Sequence, residues 1–285
     1  MKVYGYDCSI VIKTTNVEMD VPYSDETIRE AISLLEEEAA IEGDIVCRGI
    51  RRSEGITGCV VTPLTINTTP LLLYLVMGGS TFPVFVSETK NLFKHSVDLL
   101  PFEDCPRFDL IQDRNNEQRG GLRKLYEDCR VKSFELRIMR GETVKLKLDI
   151  SSESPAVPYP YHDQFIKNTG ERFSSDYVKY RINRNEYNNI YGLTISTKKE
   201  NGIKTEVWIK RSLEHGDDIP EIIEELQLTA QLLRTQYEPR YFGMFRLTVT
   251  RLVLISDETE INSSDAVIGP LRYYVTGKVY AEVFE

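Results

Sequence analysis

The chain has 285 residues, a net charge of -9 and a hydrophobic content of 41%, enough for one large folded domain or two smaller ones. The excess of acidic residues argues against a protein that grips nucleic-acid phosphates through a basic face. The cysteines are odd in number and never form a C-x-x-C pair, so we expect reduced thiols rather than a disulfide framework or a zinc site (Cys8, Cys47, Cys59, Cys105, Cys129).

No secretion signal or membrane span is predicted. The first residues lack the apolar stretch and cleavage site of a signal peptide. The longest apolar runs, at 71–77 and 252–255, fall far short of the ~20 residues that a membrane helix needs. We therefore expect a chain made in the cytoplasm.

The first elements in chain order are a strand, a helix and further strands. A strand is predicted at 4–13 and glycine-punctuated strands at 45–66. Between them, Ser24 precedes a segment that is predicted to form an amphipathic helix at 25–42. Apolar residues recur there at helical spacing (Ile28, Ala31, Ile32, Leu35).

The next segment is the most apolar of the chain. A short buried helix is predicted at 71–77, because Pro70 stands at its first position and a glycine pair follows its last turn. A buried strand is the second interpretation. Further strands are predicted within 81–111, and the polar segment 112–121 is predicted to be an exposed loop.

Two strands and a linker complete the first half. Alternation of apolar and polar residues predicts strands at 131–138 and 143–150, and in the second it is strict, which indicates one buried face. The segment 151–163 contains three prolines and three serines and reads as a linker. We therefore predict an N-terminal domain at 1–157 and a C-terminal domain at 158–285.

The C-terminal half is predicted to contain four strands and one helix. The helix spans 217–236, with Pro220 in its first turn and a broad apolar face. An Asn-Gly turn at Asn201 joins the first two strands. The strands are predicted at 192–198, 205–211, 244–255 and 271–284. Both halves share this general plan, which leaves a diverged duplication open, although no residue-level repeat is visible.

The sequence offers no catalytic, cofactor or metal site. The three histidines are far apart (His95, His162, His215), and no acidic or histidine pair completes a metal site with residues 161–164. Segment 113–120 begins like a calcium loop, but Gln118 stands where that loop requires glycine. The cluster of Asp257, Glu258 and Glu260 could bind a cation, although a solvated loop fits it better. We therefore expect a protein that is not an enzyme.

A family resemblance rests on the order of four segments. These are RGIRRSEGITGCVVTPLTINTTPLLLYLVMGG, FKHSVDL, PRFDLIQD and LYEDCRVKSFELRIMRGETVKLKLDI. In this order they resemble the N-terminal part of the tail tube proteins of long-tailed bacteriophages. The resemblance covers residues 45–150 by motif and 190–285 by architecture.

This resemblance implies a fold, a function and partners. The fold would be mainly β with a few helices (α+β), a β-sandwich or barrel of the tail tube type, duplicated if both halves share it. Such subunits join edge to edge into rings that stack into a hollow tube, through which DNA passes without tight binding. The implied partners are further copies of the chain, six per ring or three if duplicated, together with tape measure, distal tail and terminator proteins. The implied location is the tail of the virion.

The resemblance also suggests contact residues. Polar loops at 112–128 and 257–269 and the N-terminal arm are expected to join stacked rings or neighbouring subunits, and Tyr74 is expected to reach a neighbour. The candidate loop residues are Arg114, Asn115, Asn116, Arg119, Asp257, Glu258 and Glu260. Three alternative functions remain open: a distal tail or baseplate hub ring, the inner tube of a contractile injection system, and a ligand-binding β protein or enzyme.

Overall fold

The computed structural model describes residues 8–15, 17–41, 44–80, 84–87, 92–114, 122–159, 170–212, 219–232, 244–257 and 267–284. The protein is mainly β, with 68% strand, which confirms the predicted class in its main statement. The described residues contain one α-helix, not the three that the sequence predicts. Their strands form a large antiparallel sheet that does not close on itself.

The elements are numbered in chain order. The helix is α1 (Thr69–Met77). The strands are β1 (Cys8–Lys13), β2 (Glu18–Asp20), β3 (Asp25–Glu26), β4 (Arg29–Ile41), β5 (Asp44–Pro63), β6 (Gly78–Ser80), β7 (Val84–Ser87), β8 (Leu92–Leu99), β9 (Phe108–Arg114), β10 (Leu122–Met139), β11 (Lys145–Ser152), β12 (Val157–Pro158), β13 (Val178–Ile182), β14 (Asn185–Tyr187), β15 (Ile190–Lys198), β16 (Lys204–Ser212), β17 (Ile222–Gln231), β18 (Met244–Asp257), β19 (Val267–Val275) and β20 (Val279–Phe284).

The chain divides into two compact units. The first consists of Met1–Val60, Arg107–Arg130 and Asp149–Lys167, and the second of Val61–Pro106, Val131–Leu148 and Asn168–Glu285. The divisions fall within β5, β10 and β11, so these strands contribute residues to both units. The predicted domains are continuous stretches instead, and their boundary at 157/158 stays a prediction.

The first unit contains a small antiparallel sheet. Its strands pair in the order β2, β1, β9, β10 and β12. Apolar side chains of this sheet are buried (Ile10, Ile12, Leu110, Tyr126). A buried ion pair joins neighbouring strands, because Arg123 Nε donates to Asp113 Oδ2 at 2.7 Å. The sheet is therefore held by a core and by paired polar groups.

The second unit contains the larger set of strands. On one side of β18 lie β17, β13 and β14, in that order. The other edge of β18 pairs with β20 along its first half and with β19 along its second half. From β19 the sheet continues through β16 and β15 to the second half of β10, and from β20 it continues to β8. Phe173 packs edge to face on Phe245 in its core, at 5.1 Å between ring centroids.

The predicted short helix is confirmed as α1. Pro70 lies in its first turn, and Gly78 ends it with a φ of 105°, a conformation that favours glycine. The helix contacts β6, β8 and β20 of its own unit. Its buried residues are Thr69, Leu72, Leu73, Leu75, Val76 and Met77. This apolar run is therefore core, as its sequence indicates.

The two other predicted helices are wrong. Residues 25–42 contain β3 and β4, and β4 pairs with β5 along its length. The described part of 217–236 contains β17, which pairs with β13 on one side and β18 on the other. A ladder of backbone hydrogen bonds to neighbouring strands outweighs the weak preference of these residues for a helix.

Most of the predicted strands are present. The hairpin of β15 and β16 is confirmed, and its turn has positive φ at Asn201 and Gly202. The predicted final strand is divided into β19 and β20 by residues 276–278. In the predicted loop at 112–121, residues 112–114 belong to β9, and the remainder lies outside the described residues.

Candidate assembly surfaces

Strands β4 and β5 form a long two-stranded ribbon in the first unit. Their register runs from Arg29 opposite Thr57 to Ile41 opposite Asp44. Thirteen residues of β4 at a strand rise of ~3.3 Å correspond to roughly 40 Å. Across 32–53, the strand pairings of the described chain join β4 and β5 only to each other. Both outer edges of this stretch therefore keep backbone N–H and C=O groups that no third described strand pairs.

The second half of β5 has neighbours that its first half lacks. Gly55 has a φ of 107°, and a Cβ on this residue would collide with the Ser152 carbonyl oxygen of β11. Thr27 lies near the far end of β5, and its N–H donates to Cys59 O at 2.9 Å. The second half of β5 is thus anchored in the fold, whereas the first half extends as the ribbon. Because glycine has no Cβ, residue 55 can lie close to the Ser152 carbonyl oxygen, and this contact helps to hold the second half of β5 in place.

A row of exposed apolar side chains crosses the face of the second unit's sheet. Ile222 on β17, Val253 on β18 and Tyr274 on β19 lie directly opposite one another in register. Their exposed fractions are 59%, 44% and 36%. Ile255, two residues along β18 from Val253, is 51% exposed. These four residues form one apolar patch, the kind of surface that marks contact sites in proteins.

The patch exists because the alternation of buried side chains shifts along β17 and β18. The buried apolar pairs between the two strands are Ile223–Leu252, Leu226–Val249, Leu228–Leu247 and Ala230–Phe245. One residue separates successive pairs on each strand, except between the first two pairs, where two residues intervene. In both strands, the alternation of buried and exposed side chains is therefore shifted by one residue at the same level of the sheet.

Local backbone geometry accommodates this shift. Arg251 of β18 has a φ of 54°, which only a few per cent of non-glycine residues adopt. On β17, the N–H groups of Glu224 and Glu225 both donate to Asn183 Oδ1, at 2.9 and 3.1 Å. These contacts hold the irregular stretch in place, and beyond it Ile222 and Val253 face outward.

The patch borders a polar stretch of the same sheet face. Glu206 of β16 lies opposite Tyr274 and accepts two hydrogen bonds from Arg272 Nη2, at 2.8 and 2.9 Å. The Arg272 guanidinium also lies over the ring of Trp208, 4.9 Å from its centroid. Such a guanidinium is held in one orientation by its carboxylate and its ring. The same face of the sheet thus presents the apolar patch beside an Arg–Glu ion pair.

The predicted contact residues fall in several places. Tyr74 lies on α1 and is half-buried, and its backbone carbonyl accepts from the Gly78 N–H. Asp257 is the exposed last residue of β18, and Arg114 is the last residue of β9. The remaining candidates lie outside the described residues (Asn115, Asn116, Arg119, Glu258, Glu260).

The apolar row escaped the sequence prediction. Its residues come from three strands that are far apart in sequence, so no local pattern joins them. A local signal did exist, because Ile222 and Ile223 are adjacent, and adjacent residues of a strand point to opposite faces. On a sheet with one solvated face, one isoleucine of the two is then exposed.

The expectation that the chain has no catalytic or metal centre stays a prediction. The described part of the chain contains no group of three or more His, Cys, Asp or Glu residues that could hold a metal ion. Cys59, Cys105 and Cys129 are free cysteines. Burial, aided by Asp109, raises the pKa of the Cys129 thiol to about 12, so it stays protonated at neutral pH and is a poor nucleophile. His162 and His215 lie outside the described residues.

No helix among the residues that the structure describes has the length and apolarity to cross a bilayer.

A scan against protein-family models and a search of curated proteins found no match to the chain. The geometry and chemistry of the described residues are therefore the basis for assigning a function.

Proposed function

We propose that this protein is a structural subunit of a bacteriophage tail tube, in which rings of identical chains stack into a hollow cylinder that conducts DNA. The observation that carries the proposal is the β4–β5 ribbon. The mainly β fold, the apolar row on the second unit's sheet and the acidic net charge add support. The chain would act through self-association and not through chemistry.

The ribbon is hard to explain in a chain that works alone. A two-stranded hairpin without other neighbours is marginally stable in water. Its open edges also invite pairing with other strands, a hazard that proteins usually block. Across 32–53 the described strands provide no third partner, whereas edges supplied by neighbouring subunits would complete the ladder. Assembly would then stabilise the ribbon.

The two strands of the ribbon differ in charge along their sequences. Strand β4 contains the acidic run Glu36–Glu37–Glu38, whereas β5 contains Arg48, Arg51 and Arg52. An edge contact between β4 of one chain and β5 of the next would therefore join opposite charges. Such a contact uses two different surfaces, and repeated head to tail it closes a ring or continues as a helix.

The net charge suits a conduit for DNA. Each chain contributes -9, and this charge is repeated around a ring and along a stack. At physiological salt, charges act over about 8 Å, a length comparable with the gap between DNA and the wall of a narrow pore. An acidic wall would repel the phosphates and let DNA pass without binding. We favour six chains per ring, because no residue-level repeat supports a duplicated chain that would need three.

Electron microscopy of the purified chain tests the proposal. We expect tubes of stacked rings, with three or six chains per ring by mass. A variant that replaces 34–51 with Asn-Gly removes the ribbon and rejoins Ser33 to Arg52, which already lie opposite each other. It should remain folded by circular dichroism and stay monomeric in size-exclusion chromatography.

A matched control inserts Gly-Ser after Gly141, in a turn where an added Cβ would meet nothing within 4 Å. This control should still form tubes. Normal tubes from the ribbon-deleted variant would contradict the role of the ribbon. Rings that never stack would favour a distal tail or baseplate hub, and rings of two or four chains would contradict the tube proposal itself.

A further inference from the structure

A buried lysine and a buried cysteine lie in direct contact in the second unit. Lys199 follows β15 at the start of the β15–β16 turn, and Cys105 directly follows the 3-10 helix Phe102–Asp104. Lys199 Nζ lies 2.8 Å from Cys105 Sγ. The two residues are 1% and 4% exposed. Both are held by backbone hydrogen bonds, from Lys199 N–H to Lys132 O at 3.0 Å and from Cys105 N–H to Phe102 O at 3.2 Å.

No carboxylate pairs with this lysine among the described residues. Cys105 Sγ is the sole hydrogen-bond partner recorded for its Nζ, and no carboxylate contributes to its charge environment. A buried ammonium without a counter-ion is costly, so burial favours the neutral amine. Burial accordingly lowers the pKa of Lys199, and the contact with Cys105 offsets this only in part. The lowered pKa increases the share of Lys199 in the neutral form, which is the form with a free electron pair that can react.

The cysteine lies just beneath the surface. Its Sγ is 3.3 Å from Pro101 O, in hydrogen-bond contact with that carbonyl. Pro101, Glu103 and Asp104, which precede it, are exposed. A small opening of this one turn would admit a molecule of the size of water, and short surface turns open more readily than the core does. A small oxidant can therefore reach the thiol without unfolding the sheet.

We propose that Lys199 and Cys105 form a covalent N–O–S crosslink when the protein meets hydrogen peroxide. The present gap of 2.8 Å suits a single bridging oxygen atom. A direct S–N bond would be shorter than about 2.0 Å, the length of an S–S bond, and would require both buried side chains to move together. The geometry therefore favours a bridge over a direct bond. This inference is independent of the proposed tube function.

The reaction uses two molecules of peroxide and four electrons. The first oxidises the thiol to a sulfenic acid and leaves one water. The second transfers an oxygen atom to the neutral Lys199 amine, which becomes a hydroxylamine, and leaves another water. The hydroxylamine oxygen then bonds to sulfur as the sulfenic acid loses its hydroxyl group as a third water. A thiol reductant breaks the S–O bond: it restores the Cys105 thiol, is itself oxidised to a disulfide, and leaves Lys199 as the hydroxylamine.

The crosslink would tie together two segments that are 94 residues apart in sequence. Such a tie restricts the unfolded chain more strongly than the folded one. By analogy with a disulfide that closes a loop of this length, we expect the melting temperature to rise by roughly 10 °C. The modification would thus act as an oxidation-dependent staple within the second unit.

Mass spectrometry of the peroxide-treated full-length chain tests the proposal. We expect an intact-mass gain of about 14 Da, which corresponds to one oxygen gained and two hydrogens lost. After proteolysis, one linked peptide pair should contain both Lys199 and Cys105, and dithiothreitol should abolish it together with the rise in melting temperature. Cys105→Ser and Lys199→Met should not form the pair.

Two matched variants serve as controls. Cys129→Ala removes another buried cysteine, whose Sγ contacts the Tyr126 carbonyl and no lysine. Lys198→Gln removes the exposed lysine next to Lys199. Both should still form the linked pair. Oxidation of Cys105 without a linked peptide would overturn the proposal, and so would no reaction at Cys105 while the more exposed Cys59 is oxidised. A linked pair with a loss of about 2 Da would overturn the oxygen bridge.

Discussion

Two hairpins of the molecule use their outer edges in opposite ways. In the second unit, β15 and β16 are flanked on both sides, by the second half of β10 and by β19. In the first unit, the stretch of β4 and β5 at 32–53 has no third described strand on either side. The first hairpin is stabilised by its neighbours within the chain, whereas the second has edges that no other described strand pairs. The flanking strands, and not the hairpins themselves, make this difference.

Proline substitutions should show the largest difference between the two hairpins in their effect on folding. Val207→Pro in β16 removes a backbone donor from a strand that is paired on both sides, so we expect no folded protein. Leu34→Pro in β4 should leave the melting temperature within about 3 °C and prevent assembly. Circular dichroism and electron microscopy provide the measurements. Similar loss of folding in both variants would contradict the distinction.

Two neighbouring isoleucines offer a second comparison, within one strand. Ile223 is fully buried, and Ile223→Ala should lower the free energy of unfolding by about 2–5 kcal/mol. Ile222 is exposed, and Ile222→Ala should change it by less than about 0.5 kcal/mol. Denaturant unfolding measures both values. If the apolar row is a contact surface, Ile222→Asp should also weaken self-association, whereas undisturbed assembly would remove the row from the interface.

A double-variant cycle tests whether the β15–β16 hairpin satisfies its polar groups internally. Thr197 and Thr205 are buried, and their hydroxyl oxygens lie 3.0 Å apart. Changing either one to valine leaves the other hydroxyl without this partner, at a cost of about 1–3 kcal/mol. The double variant should be closer to the wild type than the sum of the single effects. Additive effects in denaturant unfolding would show that the pair is not coupled.

A pH titration probes the core of the unit that carries the ribbon. The folded Cys129 has a pKa of about 12, above its ordinary value of 9.0. Between these values the unfolded chain loses this proton while the folded chain keeps it, so the free energy of unfolding falls as the pH rises. The slope should be about 1.4 kcal/mol per pH unit. Cys129→Ala should remove this contribution, and the ribbon-deleted variant should retain it.

An unchanged slope in Cys129→Ala would show that Cys129 is not the titrating group. Loss of the slope in the ribbon-deleted variant would show that the ribbon and the core of its unit are not independent.

The sequence was most informative where local chemistry decides the structure. Helix α1 has a proline at its start and a glycine with positive φ at its end, and both signals are independent of any partner. The β15–β16 turn likewise depends on Asn201 and Gly202 alone. Both elements could therefore be predicted from short segments.

The sequence was misleading where distant partners decide. In β17 the spacing of Ile223, Leu226 and Ala230 fits one face of a helix as well as the buried face of an irregular strand. Its neighbour β13, at Val178–Ile182, lies some forty residues earlier, and no local sequence pattern indicates that these two strands pair. The candidate surfaces depend on the same long-range pairing, so the ribbon and the apolar row emerged only from the strand order.

The one-residue shift in side-chain alternation occurs at the same level in β17 and β18. In β18 after Arg251, and in β17 before Glu225, side chains point to the opposite face from the one that uninterrupted alternation along the strand predicts. If both strands were regular at this level with their length unchanged, Ile222 and Val253 would point into the core, and Ile223 and Leu252 would point to solvent. The apolar patch therefore depends on the backbone conformation at one level of two strands, and not only on the residues that form it.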